Sequence, residues 1–333
     1  MDLYNLVSFT GLFVLLGLAW LLSADRRRVN GRCLAAGTAL QLALAAVVFW
    51  FPGSGRAFYW VNKVVVRVLD AAFYGVEFVF GPLAAAPGQT DFAGQASVGR
   101  ILAFQVFPII IFFAALMGLL YYWGVMQRII RGFAWLFTRL MRVSGAESLC
   151  AASNIFVGIE SATTVRPYLA RMTRSELCTV LTAGMATVAS RVMAAYVTML
   201  QDTFPGIAGH LISASLLSAP AAIVMSKLIL PEDDQPVTLG RTVAFHYERE
   251  SSAVESIING AMAGVRLVVG IVALLIAFLG LLSLVNLGLG ELTTALGAES
   301  PWSLSMLLGY VFRPLAHVIG VPAEAAGFAS RLM

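Results

Sequence analysis

Charged residues are scarce in this chain. Asp, Glu, Lys and Arg make up 12% of its 333 residues, whereas soluble domains carry about 25%. Hydrophobic residues make up 59%, and the mean hydropathy is +0.84. This composition excludes an ordinary soluble domain and indicates an integral membrane protein with several spans.

Cysteine and histidine are also rare, with three of each. The cysteines stand in apolar contexts without the spacing of metal ligands, which favours packing roles: Cys33, Cys150 and Cys178. The histidines are scattered and form no zinc motif: His210, His246 and His317. The sequence shows no nucleophile–base pair, metal motif or phosphate loop, so it argues against an enzyme and predicts no cofactor.

Positive charge is concentrated in two arginine clusters beside apolar runs. The first is Arg26, Arg27, Arg28 and Arg32, and the second is Arg128, Arg131, Arg139 and Arg142. Because both clusters adjoin spans, they argue against nucleic-acid binding and are predicted to be cytoplasmic. The first cluster follows the first span, so the N-terminus is predicted to lie outside. Residues 125–142 read as a basic amphipathic helix attracted to anionic membrane lipid. We expect a multi-pass protein of the cell inner membrane.

The apolar runs predict an all-α fold, a polytopic helical membrane protein with interfacial amphipathic helices. Spans are predicted at about 6–22, 33–51, 101–123, 177–200, 207–230 and 257–289. Residues 57–80 mix charges with aromatics and valines, which favours a helix in the membrane interface. The last apolar run, 304–321, contains Arg313 and Pro314 and is predicted to be an interfacial or broken helix.

The segment from Ser153 to Pro167 places Asn154 and Glu160 inside apolar sequence. Glu160 aside, each side of the segment offers only about ten residues before charge appears, which is roughly 15 Å of helix and half of a ~30 Å hydrocarbon core. A re-entrant hairpin therefore fits better than a full span. Secondary transporters hold substrate and coupling ion at such half-helix tips.

Each of these two polar residues also has a structural reading. Glu160 could be an interfacial acid paired with Arg166, and Asn154 could bond backbone carbonyls within the hairpin. In the functional reading, the amide oxygen of Asn154 binds a hard cation such as Na⁺, or its NH₂ group donates a hydrogen bond to a substrate. Glu160 then faces a cavity or a partner group.

The next span carries Thr182–Val192, a run rich in small residues that suits close helix packing. If this helix unwinds, the carbonyls of Thr187 and Val188 become available as ligands. Arg191 is an unusual cation in mid-span, with three open roles: pairing with Glu160, binding a substrate anion, or reaching for an interface.

These segments resemble the concentrative nucleoside transporter family. The matching text is Ala152–Gly158, Val165–Leu169, Met172–Leu177, Gly184–Ala189, Ser218–Pro220, Leu308–Phe312 and Ile319–Pro322. The resemblance implies a homotrimer that couples nucleoside uptake to a Na⁺ or H⁺ gradient. It also implies two re-entrant hairpins and two partly unwound helices in each protomer.

Carried over residue by residue, the resemblance implies two groups of ligands. Asn154, Thr187 and the carbonyls of Val157 and Val188 would bind the cation. Glu160 would hydrogen-bond the nucleoside, and Val192 would contact it near the base.

Three departures from the family pattern concern the same site. The hairpin tip is one residue shorter than usual, so the nucleobase-binding Gln is missing and Ile159 stands where Thr is usual. Arg191 brings a positive charge into the unwound helix. The chain also ends before the Asn-Glu-Phe-Val-Ala motif and second hairpin, which implies that half of the site is missing and that these residues alone would not accumulate nucleoside.

The resemblance divides the chain into four regions. They are N-terminal spans and an interfacial helix (1–100), a scaffold span plus the basic helix (101–145), the first half of a transport domain (146–230), and a cytoplasmic loop, long scaffold span and terminal helix (231–333). The alternatives to nucleoside symport are a non-transporting membrane scaffold or sensor, an inactive fragment, and a transporter of a related anionic substrate.

Overall fold

The structure is a computed structural model that describes residues 3–50, 54–201, 203–246, 250–297 and 302–332. Within these ranges the side chains of residues 3–5, 54–58, 159–160, 323 and 331–332 lie outside the description. The described residues form helices and no β-strand, with two isolated β-bridges. The prediction of an all-α fold is confirmed.

Fourteen α-helices are present in the described ranges. They are α1 (Leu3–Leu21), α2 (Gly31–Phe49), α3 (Ser54–Phe80), α4 (Leu102–Gln105), α5 (Phe107–Tyr122), α6 (Val125–Met141), α7 (Gly145–Val157), α8 (Arg166–Leu169), α9 (Arg174–Ala186), α10 (Ser190–Leu200), α11 (Ile207–Ile229), α12 (Ala253–Ala295), α13 (Leu304–Val318) and α14 (Ala323–Leu332). Two 3-10 segments, Gly81–Leu83 and Gly158–Val165, join them.

Five helical stretches among the described residues are long and apolar enough to cross a membrane. They are Gly31–Phe49, Leu102–Tyr122, Arg174–Leu200, Ile207–Ile229 and Ala253–Ala295. Two shorter apolar helices, Leu6–Leu21 and Leu304–Val318, accompany them. A span of about 20 residues covers the ~30 Å hydrocarbon core, so the chain is a multi-pass membrane protein.

The chain folds as two compact units. Residues 1–22 and 270–333 form the first, and residues 23–269 form the second. In the first unit α1 crosses the end of α13 closely: a Cβ on Gly11 would lie 1.9 Å from the carbonyl oxygen of Val318. The Ser8 hydroxyl donates to the carbonyl of Ile319 over 2.9 Å. Glycine at position 11 is therefore required for this crossing.

Apolar side chains from four helices form a core in the second unit. Leu69 of α3, Ile109 of α5, Val197 of α10 and Ala208 of α11 are buried together. Elsewhere in this unit α2 lies against α6 and α11 at Gly37, where a Cβ would meet the side chains of α6 and α11 at 2.7 and 2.3 Å. Small residues thus set the helix spacing, as is usual where helices pack in lipid.

Local sequence fixes where several helices begin. Ser144 and Thr173 start α7 and α9 with capping boxes, in which each side chain accepts from the backbone N–H of the glutamate three residues on. The carboxylates of Glu147 and Glu176 in turn accept hydrogen bonds from the backbone N–H groups of Ser144 and Thr173. These reciprocal bonds satisfy donors that a helix start otherwise leaves unpaired.

Proline has different effects in two of the predicted apolar runs. The predicted span at 101–123 is confirmed at Leu102–Tyr122, but it is interrupted once: α4 ends at Gln105 and α5 begins at Phe107, because Pro108 lacks an N–H and suits the first turn of a new helix. For the last apolar run the prediction was an interfacial or a broken helix; α13 continues through Pro314 to Val318, so it is not broken at Arg313-Pro314, and the interfacial position stays a prediction. The chain turns later, near Gly320, whose φ is +88°.

Candidate functional site

The first limb of the predicted hairpin is α7, which ends at Gly158. Gly158 has φ +76° and ψ −147°, a conformation that only glycine adopts readily. A Cβ there would lie 2.6 Å from the Cβ of Ala189. Glycine thus ends the helix and lets it touch the next transmembrane segment. The predicted helix end at Gly158 is confirmed, whereas the second limb is a 3-10 segment followed by the short helix α8.

The segment that touches Gly158 is itself a break between two helices. α9 ends at Ala186, Thr187 is extended with φ −125° and ψ 154°, and α10 begins at Ser190. The predicted unwinding at Thr187 and Val188 is confirmed. Such a break leaves the last carbonyls of α9 without helical donors.

Asn154 joins the hairpin limb to this break. Its side chain is fully buried. The amide Nδ2 donates to the carbonyl of Ala183 and, over 2.5 Å, to Oγ1 of Thr187. Thr187 in turn donates to the backbone carbonyl of Asn154 over 3.1 Å. The carbonyl that Asn154 bonds therefore belongs to α9, and the bond lies between two elements rather than within the hairpin.

Hydroxyl groups extend this polar contact on the hairpin side. Ser161 Oγ donates to Asn154 Oδ1 over 3.3 Å, and Thr164 Oγ1 donates to the Ser161 carbonyl over 2.6 Å. Ser153 donates to Thr164 over 3.3 Å. All three hydroxyl residues are buried. The sequence reasoning missed them, although Ser161 directly follows Glu160 in a segment already singled out.

Hydroxyls on the far side of the break hold its backbone. Ser190 donates to the carbonyl of Phe156, and Ser215 of α11 donates to the carbonyl of Val188 over 3.4 Å. Buried carbonyls need such partners because an unpaired one costs about 1–3 kcal/mol. The break is therefore a built feature, tied to the hairpin limb and to α11.

Helix dipoles give this junction its electrostatic character. α7 and α9 both end here, and each C-terminus carries roughly half a negative charge. The Thr187 hydroxyl and the backbone carbonyls of Asn154 and Ala183 meet at this junction. α10 begins here and brings the positive end of its dipole. Oxygen donors beside two negative helix ends suit a hard cation, and the start of α10 suits a negative or hydrogen-bond-accepting group.

The remaining predicted site residues are placed as follows. Val157 is the last residue of α7, and Arg191 and Val192 lie in the first turn of α10; all three are half-buried. The side chains of Ile159 and Glu160 lie outside the described residues. A pairing of Glu160 with Arg191 or Arg166 therefore stays a prediction.

A buried ion network near the start of the hairpin limb was missed by the sequence reasoning. The ammonium of Lys227, in the last turn of α11, lies 2.9 Å from Glu147 and 3.0 Å from Glu232. It also donates to Ser175 of α9 over 3.0 Å. One cation thus ties together the starts of α7 and α9 and the end of α11. The sequence carried no clear signal for this network, because a lysine in the last turn of a span and a glutamate in a helix cap are both usual.

Comparison with known proteins places this geometry in a family. Three family models match: "Na+ dependent nucleoside transporter N-terminus" at residues 10–83, "Nucleoside recognition" at residues 103–203, and "Na+ dependent nucleoside transporter C-terminus" at residues 210–333. Nucleoside permease NupC of Helicobacter pylori is 35% identical over 99% of this chain and 76% of its own length. Solute carrier family 28 member 3 of Mus musculus is 36% identical over 99% of this chain.

The same family appears among solved structures. CNTnw in an inward-facing, substrate-bound state matches with a TM-score of 0.86 and 34% identity, over 99% of this chain and 76% of that one. The chain spans 44% of the mouse relative's length. These matches do not support the prediction that half of the site is missing from the chain. They confirm the family that the motifs predicted, and the chain belongs to the concentrative nucleoside transporters.

Proposed function

We propose that this chain carries nucleosides across a membrane and couples their movement to a cation, with Na⁺ as the first candidate and H⁺ as the second. The observation that carries the proposal is the Asn154–Thr187 contact, which joins the hairpin limb to the helix break. Around this contact the Thr187 hydroxyl and the backbone carbonyls of Asn154 and Ala183 lie beside two negative helix ends, and such neutral oxygens suit Na⁺. The description of the matching C-terminal family model names Na⁺-dependent nucleoside transport. The family consists of transporters rather than enzymes.

In this proposal the two groups of site residues divide the work. Asn154, Thr187 and the carbonyls of Val157 and Val188 bind the cation. Coordination would displace hydrogen bonds now made among these groups, so cation binding would change how α7 is held against the break.

Glu160, Ile159, Arg191 and Val192 face the nucleoside in the proposed transporter. Residues 146–230 would then form the first half of the transport domain. Alternating access moves such a domain around its site while the surrounding scaffold stays in place.

Uptake into proteoliposomes tests the proposal. The transporter is reconstituted, and labelled uridine uptake is followed under an inward Na⁺ gradient, an inward H⁺ gradient, or neither. We expect uptake above the no-gradient level under one of the two gradients. Equal uptake in all three conditions would contradict coupling, and nucleoside binding without flux would favour the non-transporting scaffold or sensor.

A matched pair of threonine variants assigns the cation site. Thr187→Val removes the hydroxyl at the break while keeping the side-chain shape. Thr182→Val removes a half-buried hydroxyl from α9 whose neighbour is Cys178. We expect Thr187→Val to raise the Na⁺ concentration for half-maximal uptake about tenfold, since each 1.4 kcal/mol is a factor of ten. An unchanged Na⁺ dependence in Thr187→Val would remove Thr187 from the site.

We further propose that the protein is a homotrimer of the cell inner membrane with its N-terminus outside. The two arginine clusters support this orientation. Crosslinking in native membranes reports the number of subunits. Labelling of a single cysteine placed beside Arg26 reports the side of the membrane, and labelling from outside would contradict the proposed orientation.

A further inference from the structure

A large cavity opens in the second unit, away from the hairpin tip. Its volume is about 1330 Å³. The start of α2, the end of α6, the start of α7, the end of α11 and the loop after α11 surround it. Nothing in the proposed transport cycle uses this space.

The cavity is lined by an excess of positive charge. Its cations are Arg28, Arg32, Arg139, Arg142, Arg241 and Lys227, and its carboxylates are Glu147, Glu232 and Asp234. The formal excess is three positive charges. Two of the carboxylates are committed to Lys227, and Arg28 pairs with Asp25 at 3.4 Å.

Four of the guanidinium groups have no side-chain partner among the described residues. Within the described ranges, no side-chain hydrogen bond or ion pair is found for these four, which come from three separate parts of the chain: Arg32, Arg139, Arg142 and Arg241. Like charges that converge around one cavity repel one another, the more so near a membrane where the dielectric is low. An anion in the cavity would relieve this repulsion.

The backbone at Arg142 supports a functional reading. Arg142 ends α6 with φ +53°, and among the described residues it is the non-glycine residue with a positive φ. Glycine is the usual residue at such a helix end because a side chain makes this conformation unfavourable. An arginine at this position places a guanidinium at the cavity at a conformational cost.

The outer wall of the cavity has the character of a membrane surface. Trp135 lines the cavity and is 55% exposed, and it belongs to α6, whose other face is buried in the protein. Tryptophan beside arginine on an amphipathic helix is typical of the headgroup level of a bilayer. The ligand would therefore come from the lipid rather than from bulk solution.

We propose that this cavity binds the phosphate headgroup of an anionic phospholipid. Arginine forks match phosphate oxygens with two parallel hydrogen bonds, and basic pockets between membrane helices on the cytoplasmic side bind such headgroups. The volume and the four uncommitted arginines suit a lipid with two phosphates, such as cardiolipin. A bound headgroup would also lie beside the Lys227 network that holds α7.

Lipid titration of the purified transporter tests the site. Native mass spectrometry in neutral detergent follows binding of cardiolipin, phosphatidylglycerol and phosphatidylcholine. The variants are Arg139→Gln and Arg142→Gln, with Arg241→Gln as a probe from the loop. Arg128→Gln is the matched control, because Arg128 is an exposed arginine of the same helix that does not line the cavity.

We expect cardiolipin to bind more tightly than the other two lipids. Each cavity variant should lower its affinity about tenfold, whereas Arg128→Gln should lower it less than about twofold. Thermal unfolding in neutral detergent identifies any variant that fails to fold, and the two remaining cavity variants then carry the test.

Three results would overturn the proposal. If Arg128→Gln loses as much cardiolipin affinity as the cavity variants, the binding reflects only a general attraction of a basic helix to anionic lipid. Competition by pyrophosphate as effective as by cardiolipin would indicate a soluble anion. Unchanged cardiolipin affinity in all cavity variants would leave the cavity without this ligand. Because the readout is lipid binding, failure here is distinguishable from failure of the proposed transport.

Discussion

Removing the Lys227 ammonium should be among the most damaging single changes to this fold. Lys227→Met keeps the length of the side chain and deletes its charge. Glu147 then loses an ammonium 2.9 Å away, and Glu147 is 1% exposed. Breaking a buried ion pair by removing one partner costs about 3–5 kcal/mol, because it leaves an uncompensated buried charge. We expect a loss of that size for Lys227→Met.

The same reasoning predicts that a second change rescues the first. Glu147→Gln removes the stranded charge and can still accept the hydrogen bond from the Ser144 N–H that caps α7. Glu232 is partly exposed, with 22% of its side chain accessible, so water can solvate it after the lysine is gone. The double variant should therefore be at least about 2 kcal/mol more stable than the sum of the single effects predicts, since residues in one network couple by 0.5–3 kcal/mol.

Unfolding of the purified protein in mixed micelles measures all four members of this cycle. Arg28→Gln is the control, because it breaks the exposed Arg28–Asp25 pair and should cost less than about 1 kcal/mol. The reasoning is wrong if Lys227→Met costs no more than Arg28→Gln. It is also wrong if the double variant shows the plain sum of the single losses, since the charges would then act independently.

Three further changes test how the helices end and pack, each by thermal unfolding in neutral detergent. Gly158→Ala should destabilise the protein by about 2 kcal/mol and weaken uptake, because Gly158 has φ +76° and the new Cβ would lie 2.6 Å from Ala189. Gly132→Ala is the control: its Cβ meets nothing within 4 Å among the described residues, so it should be neutral or slightly stabilising. Gly260→Ala should cost about 1–3 kcal/mol, since its Cβ would lie 2.7 Å from the carbonyl oxygen of Ala114. Ser144→Ala should cost about 1 kcal/mol through loss of the α7 cap. A neutral result for Gly158→Ala would contradict the close approach at the helix break, and equal effects of the Gly260 and Gly132 changes would contradict the tight contact of α5 and α12.

The helices were largely predictable from the sequence because apolar runs of membrane length have few other outcomes. Breaks inside those runs were harder to place. Pro108 was visible, and its lack of an N–H restarts the helix there. Pro314 was equally visible, yet α13 continues through it. Whether a proline breaks a helix depends on neighbours that satisfy the freed carbonyl, and those are set by the fold rather than by local sequence.

The polar contacts at the site divide in the same way. The contact of Asn154 with Thr187 joins residues that the motifs had already marked. The contact of Glu147 with Lys227 was not predicted from the sequence, because the two residues lie far apart in the chain and each is usual in its own segment. A capping glutamate is usual at a helix start, and a lysine near a span end usually reaches for the interface. Pairing them requires knowing that α7 and α11 lie side by side.

Charge balance at the helix break limits what the site can carry. Arg191 lies in the first turn of α10, where the helix dipole is already positive, so its charge is unfavourable unless an anionic group is near. Glu160 follows Gly158 by two residues, Arg191 follows Ala189 by two, and Gly158 and Ala189 touch. The backbone therefore brings both residues to one junction. If Glu160 compensates Arg191, the two negative helix ends still need a cation, and a neutral nucleoside fits. If the substrate supplies that negative charge instead, the anionic-substrate alternative gains the stronger physical case.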